Sequence, residues 1–178
     1  MSSGHPSTPG TSSTTVDEVF EPPRLEDGRQ LWRIARDSKT LDLNSPYSYV
    51  LWCRDFAATS VVARAGGEIR GFVTGFERPE DPGTLFVWQV AVDAEWRGRA
   101  LAGRMLGHLA DRGHRFVEAT VTPDNVASDR LFTAFARDRG AELRRTPLLA
   151  GELFPGDHQS EVLYRIGPLN AHVTSGDR

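Results

Sequence analysis

The feature that most constrains the fold is the apolar run TLFVWQVAV at residues 84–92. A strand with so few polar side chains is expected where helices cover both faces of a sheet. The run leads through a short loop into residues 100–112, which place Leu101, Met105 and Leu109 at helical spacing before Gly113 as a C-terminal cap. A buried strand followed by an amphipathic helix predicts an α/β fold.

The other predicted elements agree with a mixed sheet flanked by helices. They are a strand at 30–35, a helix at 46–56 with Asn44 or Ser45 as its cap, two strands at 60–65 and 68–76 joined by a Gly66-Gly67 turn, a strand at 115–121, a helix at 126–139 and a strand at 161–166. Strands and helices alternate from residue 84 onward, which favours at least one parallel strand pair.

Length and composition indicate one domain. The 178 residues are enough for one ordinary core, with residues 1–27 predicted as a disordered leader, 28–169 as the folded domain and 170–178 as a flexible tail. A net charge of −3 gives no global footprint for nucleic acid. The sequence has no run of 18 apolar residues and no secretory signal, so we expect a cytoplasmic location without a membrane partner. A single cysteine, Cys53, and scattered histidines predict neither a disulfide nor a metal site.

The loop after the apolar strand has the composition of an anion-binding loop. Residues 97–103, RGRALAG, combine two arginines with small side chains at the start of a helix, where unpaired N–H groups attract anions. The guanidinium groups of Arg97 and Arg99 are suited to charge-assisted hydrogen bonds with phosphate. The nucleotide triphosphate and dinucleotide motifs are both missing, so the loop is either a site for another phosphate ligand or an ordinary turn with solvated arginines.

This loop resembles the pyrophosphate loop of the GNAT acetyltransferases, R/Q-x-x-G-x-G/A, with Ala100 at the usual glycine. A second GNAT element, Asn125-x-x-Ser128-x-x-Leu131-Phe132, follows at the family's distance, with Phe132 at a position where many members have tyrosine. The resemblance implies a single GNAT-type domain, with a mixed, mostly antiparallel, twisted sheet that binds acetyl-CoA where two parallel strands splay. The residues that it implies for acetyl-CoA are Val90, Ala91, Val92, Arg97, Gly98, Arg99, Ala100, Leu101, Ala102, Gly103 and Asn125.

Four longer stretches are similar to the L-2,4-diaminobutyrate acetyltransferases of ectoine biosynthesis. They are LDLNSPYSYVLWCRDF, TLFVWQVAVDAEWRGRALAGRML, ATVTPDNVASDRLFTAFAR and ELFPGDHQSEVLYRIGPL, within a similarity that covers about residues 29–169. That family moves an acetyl group from acetyl-CoA to the 4-amino group of L-2,4-diaminobutyrate, on the route to a compatible solute. The resemblance therefore implies a homodimeric enzyme with acetyl-CoA as cosubstrate and no metal.

Five residues are candidates for the diamine pocket, namely Asp42, Tyr47, Trp88, His158 and Glu161. Glu161 is the candidate general base, acting directly or through water, because an amine with a pKa near 10 is mostly protonated at pH 7 and must lose a proton before it attacks. Tyr47 is the second catalytic candidate, with its hydroxyl either in the pocket or packed in the first turn of its helix. Backbone N–H groups of residues 90–92 are expected to polarise the thioester carbonyl.

Two alternative functions stay open from the sequence. One is a GNAT enzyme for another small diamine or polyamine, which would tolerate loss of the α-carboxylate. The other is a non-catalytic acyl-CoA-sensing module, which would bind acetyl-CoA without turnover. Kinetics on a series of amines distinguishes the three.

Overall fold

The predicted central strand forms at Thr84–Val92, in the middle of a seven-stranded sheet. The structure is a computed structural model that describes residues 17–169. Its helices are α1 (Gly28–Ser38), α2 (Pro46–Asp55), α3 (Leu101–Ala110) and α4 (Val126–Asp138). Its strands are β1 (Val19–Glu21), β2 (Val61–Ala65), β3 (Glu68–Glu77), β4 (Thr84–Val92), β5 (Phe116–Val121), β6 (Leu143–Leu149) and β7 (Glu161–Ile166). The strand order is β1-β2-β3-β4-β5-β7-β6, and only β4 and β5 are parallel neighbours, which confirms the predicted mixed sheet.

Two apolar cores lie on opposite faces of this sheet. The core under α3 and α4 contains Met105 and Phe135, and the core under α1 and α2 contains Leu31 and Tyr49. Successive residues of a strand point to opposite faces of the sheet, so the side chains of each strand divide between the two cores. The predicted strands at 60–65 and 68–76 are confirmed, and their Gly66-Gly67 turn has the positive φ angles that such a hairpin requires.

The predicted strand at residues 30–35 is wrong, because this segment lies within helix α1. Leu31, Ile34 and Ala35 are buried at the i, i+3 and i+4 spacing of one helix face. The apparent alternation covers six residues, which is too short a stretch to distinguish the two-residue period of a strand from the 3.6-residue period of a helix. The helix ends at Lys39, which takes the left-handed conformation with φ of 56°.

The predicted boundary of the leader at residue 27 is too late. Strand β1 pairs with β2, and the side chain of Arg64 on β2 binds both Glu21 at 2.7 Å and Asp27 at 2.9 Å. Asp27 is buried, so its carboxylate needs a charged partner, which Arg64 supplies. Strand β1 also covers the edge of β2. Ordered structure therefore begins before residue 28. Residues 1–16 and the predicted tail at 170–178 lie outside the described residues.

Deleting residues 2–24 is expected to lower the free energy of unfolding by about 1.5–3 kcal/mol, the usual range for hydrogen bonds to charged groups. The deletion removes β1 together with Glu21, so that of its two carboxylate partners Arg64 keeps Asp27. Deleting residues 2–16 keeps β1 and serves as the control. Denaturant unfolding of both variants measures the difference, and equal stabilities would show that β1 contributes nothing.

No helix within residues 17–169 has the length and apolar character needed to cross a membrane.

Candidate active site

The parallel strands β4 and β5 separate partway along their length. Their register runs from Thr84 opposite Phe116 to Phe86 opposite Glu118, and in the described chain the ladder ends there. Strand β4 continues to Val92 while paired with β3 on its other edge. The predicted acetyl-CoA residues Val90, Ala91 and Val92 therefore lie in the part of β4 that has no strand beside it on the β5 side. Backbone groups on that edge are available to an extended ligand.

The start of helix α3 leaves three backbone donors available. The N–H of Arg104 donates to the carbonyl oxygen of Ala100 at 3.1 Å and makes the first hydrogen bond of the helix. The N–H groups of Leu101, Ala102 and Gly103 therefore have no acceptor within the helix. Together with the positive end of the helix dipole, they form a site suited to phosphate oxygens.

The side chains of this loop differ in what they can contribute. Arg97 is exposed and donates through Nε to the carbonyl oxygen of Val92 at 3.4 Å, while the guanidinium of Arg99 lies 4.5 Å from the ring centre of Trp96. Gly98 has a φ of 76°, a conformation that favours glycine. The side chain of Leu101 is buried in the core, so only its backbone can meet a ligand.

The second GNAT element forms the start of helix α4. The Oδ1 of Asn125 accepts a hydrogen bond from the N–H of Ser128 at 3.0 Å, which makes Asn125 the N-cap of this helix. This assigns a structural role to a residue predicted to bind the cofactor. Phe132 is buried and packs against the ring of Tyr164. The Tyr164 hydroxyl donates to Asp129 at 2.9 Å, so it is already engaged.

Three of the five predicted pocket residues come together although they are far apart in sequence. The Nε2 of His158 lies 3.7 Å from Oδ2 of Asp42 and 3.8 Å from Oε1 of Glu161. Glu161 is largely buried at the start of β7, whereas the Asp42 side chain is 96% exposed on the segment between α1 and α2. The cluster therefore opens to solvent on the Asp42 side, as a substrate site must.

The orientation of His158 determines what it offers a ligand. Its Nδ1 lies 2.6 Å from the carbonyl oxygen of Gln159, and its ring stacks on Phe154 with the centres 4.0 Å apart. A carbonyl oxygen only accepts, so Nδ1 carries a proton, and Nε2 is an acceptor when the ring is neutral. Nε2 and the carboxylates of Asp42 and Glu161 then form a group of three acceptors, which matches the three donors of a primary ammonium group.

Trp88 and Tyr47 are the two predicted pocket residues outside this group. Trp88 occupies a bulge in β4, since Thr74 pairs with Gln89 but Gly75 pairs with Val87, and its half-exposed ring stacks on Trp52 at 5.9 Å. Tyr47 is 68% exposed in the first turn of α2. Within residues 17–169 no hydrogen bond, ion pair or ring contact joins Trp88 or Tyr47 to the three-acceptor group.

Sequence reasoning missed two buried polar residues beside the site. The Tyr49 hydroxyl donates to Oε1 of Gln89 at 3.1 Å, and Nε2 of Gln89 donates to the backbone carbonyl of Asp42 at 2.9 Å. The available signal was the single amide inside the apolar run at 84–92, because a buried amide needs hydrogen-bond partners. Cys53 is buried as predicted, and burial raises the pKa of its thiol to about 12, with smaller contributions from Asp27 and Glu26, so it is not a nucleophile.

Replacing Ala100 by glycine is expected to raise the free energy of unfolding by about 1 kcal/mol. Ala100 has a φ of 53°, a left-handed conformation that costs an L-residue about 1–2 kcal/mol and glycine very little. Loss of the methyl group also opens the loop at residues 97–103, the phosphate loop, so the KM for acetyl-CoA should stay equal or fall. Denaturant unfolding and steady-state kinetics measure the two effects.

The matched control is Ala127→Gly, at an exposed position in the first turn of α4. There glycine should cost about 0.5–1 kcal/mol, since the backbone is helical. A less stable Ala100→Gly variant, or one that binds acetyl-CoA more weakly, would contradict the assigned role of this loop.

Comparison with known proteins agrees with this geometry. The model of the acetyltransferase (GNAT) family matches residues 27–136. An L-2,4-diaminobutyric acid acetyltransferase from Streptomyces coelicolor is 56% identical over 90% of this chain and 98% of its own length. One from Marinococcus halophilus is 44% identical over 90% of this chain and 95% of its own length.

Solved structures give the same result. The diaminobutyrate acetyltransferase EctA from Paenibacillus lautus, in complex with its substrate L-2,4-diaminobutyric acid and coenzyme A, matches with a TM-score of 0.80 and 41% identity, covering 86% of this chain and 96% of that one. Ard1 from Thermoplasma volcanium matches with a TM-score of 0.66 at 16% identity, covering 84% of this chain and 97% of that one, which shows a shared fold. The chain belongs to the GNAT acetyltransferase family and, within it, to the L-2,4-diaminobutyric acid acetyltransferases.

Proposed function

We propose that this protein transfers the acetyl group of acetyl-CoA to the 4-amino group of L-2,4-diaminobutyrate, giving N4-acetyl-L-2,4-diaminobutyrate for the synthesis of the compatible solute ectoine. The observation that carries the proposal is the three-acceptor group of Asp42, His158 and Glu161 on a domain of this family. Relatives named for this reaction match nearly the whole described chain, which supports the same substrate.

The reacting amine must lose a proton before it attacks. Deprotonating an ammonium group whose pKa is about three units above the solution pH costs about 4 kcal/mol. Glu161 is the acceptor for that proton, because it is the less exposed of the two carboxylates and lies at the start of β7. Asp42 and His158 hold ammonium protons of the diamine, Trp88 forms a wall of the pocket, and Tyr47 stays a candidate for contact with the substrate.

Acetyl-CoA is proposed to lie in the gap between β4 and β5. The free N–H groups at the start of α3, together with Arg97 and Arg99, bind its pyrophosphate. Backbone N–H groups of residues 90–92 stabilise the negative charge that develops on the thioester oxygen. After Glu161 has taken one ammonium proton, the free amine nitrogen bonds to the acetyl carbon and the carbon–sulfur bond breaks. The nitrogen then loses its second proton, the departing sulfur takes up one proton so that coenzyme A leaves as the thiol, and Glu161 returns its proton to water.

A homodimer in the cytoplasm is proposed as the working form. Supporting the dimer, strand β6 at the sheet edge is exposed along most of its length, and the large apolar side chains of Leu148 on β6 and Leu153 in the turn that follows it are exposed. Exposed apolar side chains that cluster near a sheet edge are typical of interfaces. The single cysteine, buried as a free thiol, suits a reducing compartment. Light scattering on the purified protein measures the mass of the assembly.

Steady-state kinetics on four amines tests the proposed function. With 2,4-diaminobutyrate, ornithine, lysine and putrescine as acceptors, we expect kcat/KM to be highest for diaminobutyrate by at least about tenfold, the effect of one lost contact of 1.4 kcal/mol. Equal turnover of putrescine, which has no carboxylate, would favour a general diamine acetyltransferase. Acetyl-CoA binding without turnover of any amine would favour a sensing module.

A further inference from the structure

A buried pair of polar residues, Tyr49 and Gln89, links the core to the substrate side of the site. Tyr49 on α2 is 1% exposed and Gln89 on β4 is 8% exposed. The Tyr49 hydroxyl donates to Oε1 of Gln89 at 3.1 Å. Nε2 of Gln89 donates to the carbonyl oxygen of Asp42. The pair therefore binds the segment between α1 and α2 at the backbone of Asp42.

This segment has no regular structure of its own. Residues 40–45 join α1 to α2 without helix or strand, and the Asp42 side chain extends from them into solvent. An exposed carboxylate on an irregular segment keeps one position only if its backbone is held, since ordering each free residue costs about 1–2 kcal/mol. The hydrogen bond from Gln89 to the Asp42 carbonyl is such a restraint, made by a side chain that the core itself fixes.

The position of Gln89 along β4 explains why it reaches this segment. The bulge at Trp88 shifts the register with β3, so that Gln89 and Ala91 face the core under α1 and α2 while Val87 and Val90 face the opposite core. Gln89 thus lies in the strand that borders the proposed acetyl-CoA gap and also contacts the segment that carries Asp42. Strand β4 is therefore part of both proposed substrate sites.

We infer that Tyr49 and Gln89 are positioning residues, which hold the Asp42 carboxylate opposite His158 and Glu161 and thereby set the affinity for the diamine. This inference rests on the proposed function, and it adds two residues that touch neither substrate. Loss of the pair should weaken binding of the diamine and leave binding of acetyl-CoA unaffected, because within the described residues no hydrogen bond joins Tyr49 or Gln89 to the phosphate loop before α3.

The test compares Gln89→Met, which keeps the length of the side chain without its hydrogen bonds, with Tyr49→Phe, which keeps the ring. Each variant should raise the KM for diaminobutyrate by about 5- to 30-fold, the effect of one or two hydrogen bonds, and change the KM for acetyl-CoA less than about twofold. Ser60→Ala is the matched control, since the Ser60 hydroxyl accepts a buried hydrogen bond from Gly75 away from this segment. It should leave both KM values unchanged.

A second measurement separates positioning from a general loss of stability. In an Asp42→Ala background, Gln89→Met should add less than about twofold to the KM for diaminobutyrate, because the carboxylate that it positions is gone. An effect that persists in full, or an equal loss for both substrates in folded variants, would overturn the inference. So would an unchanged KM for diaminobutyrate in both single variants.

Hydrogen exchange distinguishes this inference from the proposed function. Amides of residues 40–45 should exchange faster in Gln89→Met than in the wild type or in Ser60→Ala, whatever the enzyme acetylates. If the wild type does not turn over diaminobutyrate but exchange rises as expected, the proposed substrate is wrong and the positioning role holds. If turnover is normal and exchange does not change, the positioning role is wrong.

Discussion

Replacing Glu161 by glutamine is expected to lower kcat by about 10²–10⁴, the usual contribution of a positioned general base. Glutamine keeps the shape and hydrogen-bonding capacity of the side chain but cannot accept the proton of the ammonium group. The KM for acetyl-CoA should change little, because the phosphate loop is separate from Glu161. Raising the pH should partly restore the variant, since more of the diamine is then free amine in solution. Steady-state kinetics over a range of pH measures each effect.

The control is Glu152→Gln, which removes a carboxylate from an exposed turn on the same segment between β6 and β7. It should leave kcat within about twofold, as expected for a surface substitution. If Glu161→Gln keeps its kcat and raises only the KM for the diamine, then Glu161 binds substrate, and the base is Asp42 or a water chain. A loss of kcat that stays constant with pH would also contradict proton transfer to Glu161.

Replacing Glu118 by alanine is expected to lower the free energy of unfolding by about 3–5 kcal/mol, because it removes two hydrogen bonds between charged groups, each worth about 1.5–3 kcal/mol. Glu118 on β5 is 1% exposed and accepts hydrogen bonds from Nη1 of Arg78 at 3.0 Å and from Nη1 of Arg165. Arg165 retains a bond to Asp81 at 2.9 Å, whereas Arg78 loses its carboxylate partner. Denaturant unfolding monitored by tryptophan fluorescence measures the loss.

Glu142→Ala is the control for this prediction. Glu142 pairs with Arg144 at 3.3 Å, but both side chains are mostly exposed, so the pair should contribute less than about 1 kcal/mol. Similar losses in the two variants would mean that burial does not strengthen the Glu118 network. A variant of Glu118 as stable as the wild type would show that the two arginines find solvent or other partners at no cost.

The sequence predicted the elements whose pattern is set by burial on one or both faces. The run at 84–92 and the helix that follows it formed within a few residues of their predicted limits, because continuous apolar burial leaves few alternatives. Strand β6 was not predicted, since its residues are exposed on both faces and carry no alternation. Strand β1 was missed because three residues paired at an edge leave almost no local pattern.

The site was predictable in its residue types but not in its geometry. Resemblance to the family identified Asp42, His158 and Glu161. The structure places the carboxylates of Asp42 and Glu161 within 4 Å of Nε2 of His158. No local pattern indicates that Gln89 reaches the Asp42 carbonyl across 47 residues of sequence, because that contact depends on the bulge at Trp88. Long-range hydrogen bonds of this kind follow from tertiary packing, which a single sequence does not display.

The left-handed end of α1 at Lys39 has a practical consequence for observing this enzyme. Lys39 is the single lysine in the chain and is exposed, three residues before Asp42. An amine-reactive fluorophore therefore has one side-chain target, on the segment whose position the Tyr49–Gln89 pair is proposed to fix. Trp32 and Trp52 lie on the two helices that this segment joins, and both offer intrinsic donors for energy transfer. A dye at Lys39 would make the ordering of residues 40–45 a spectroscopic signal that can be followed during turnover.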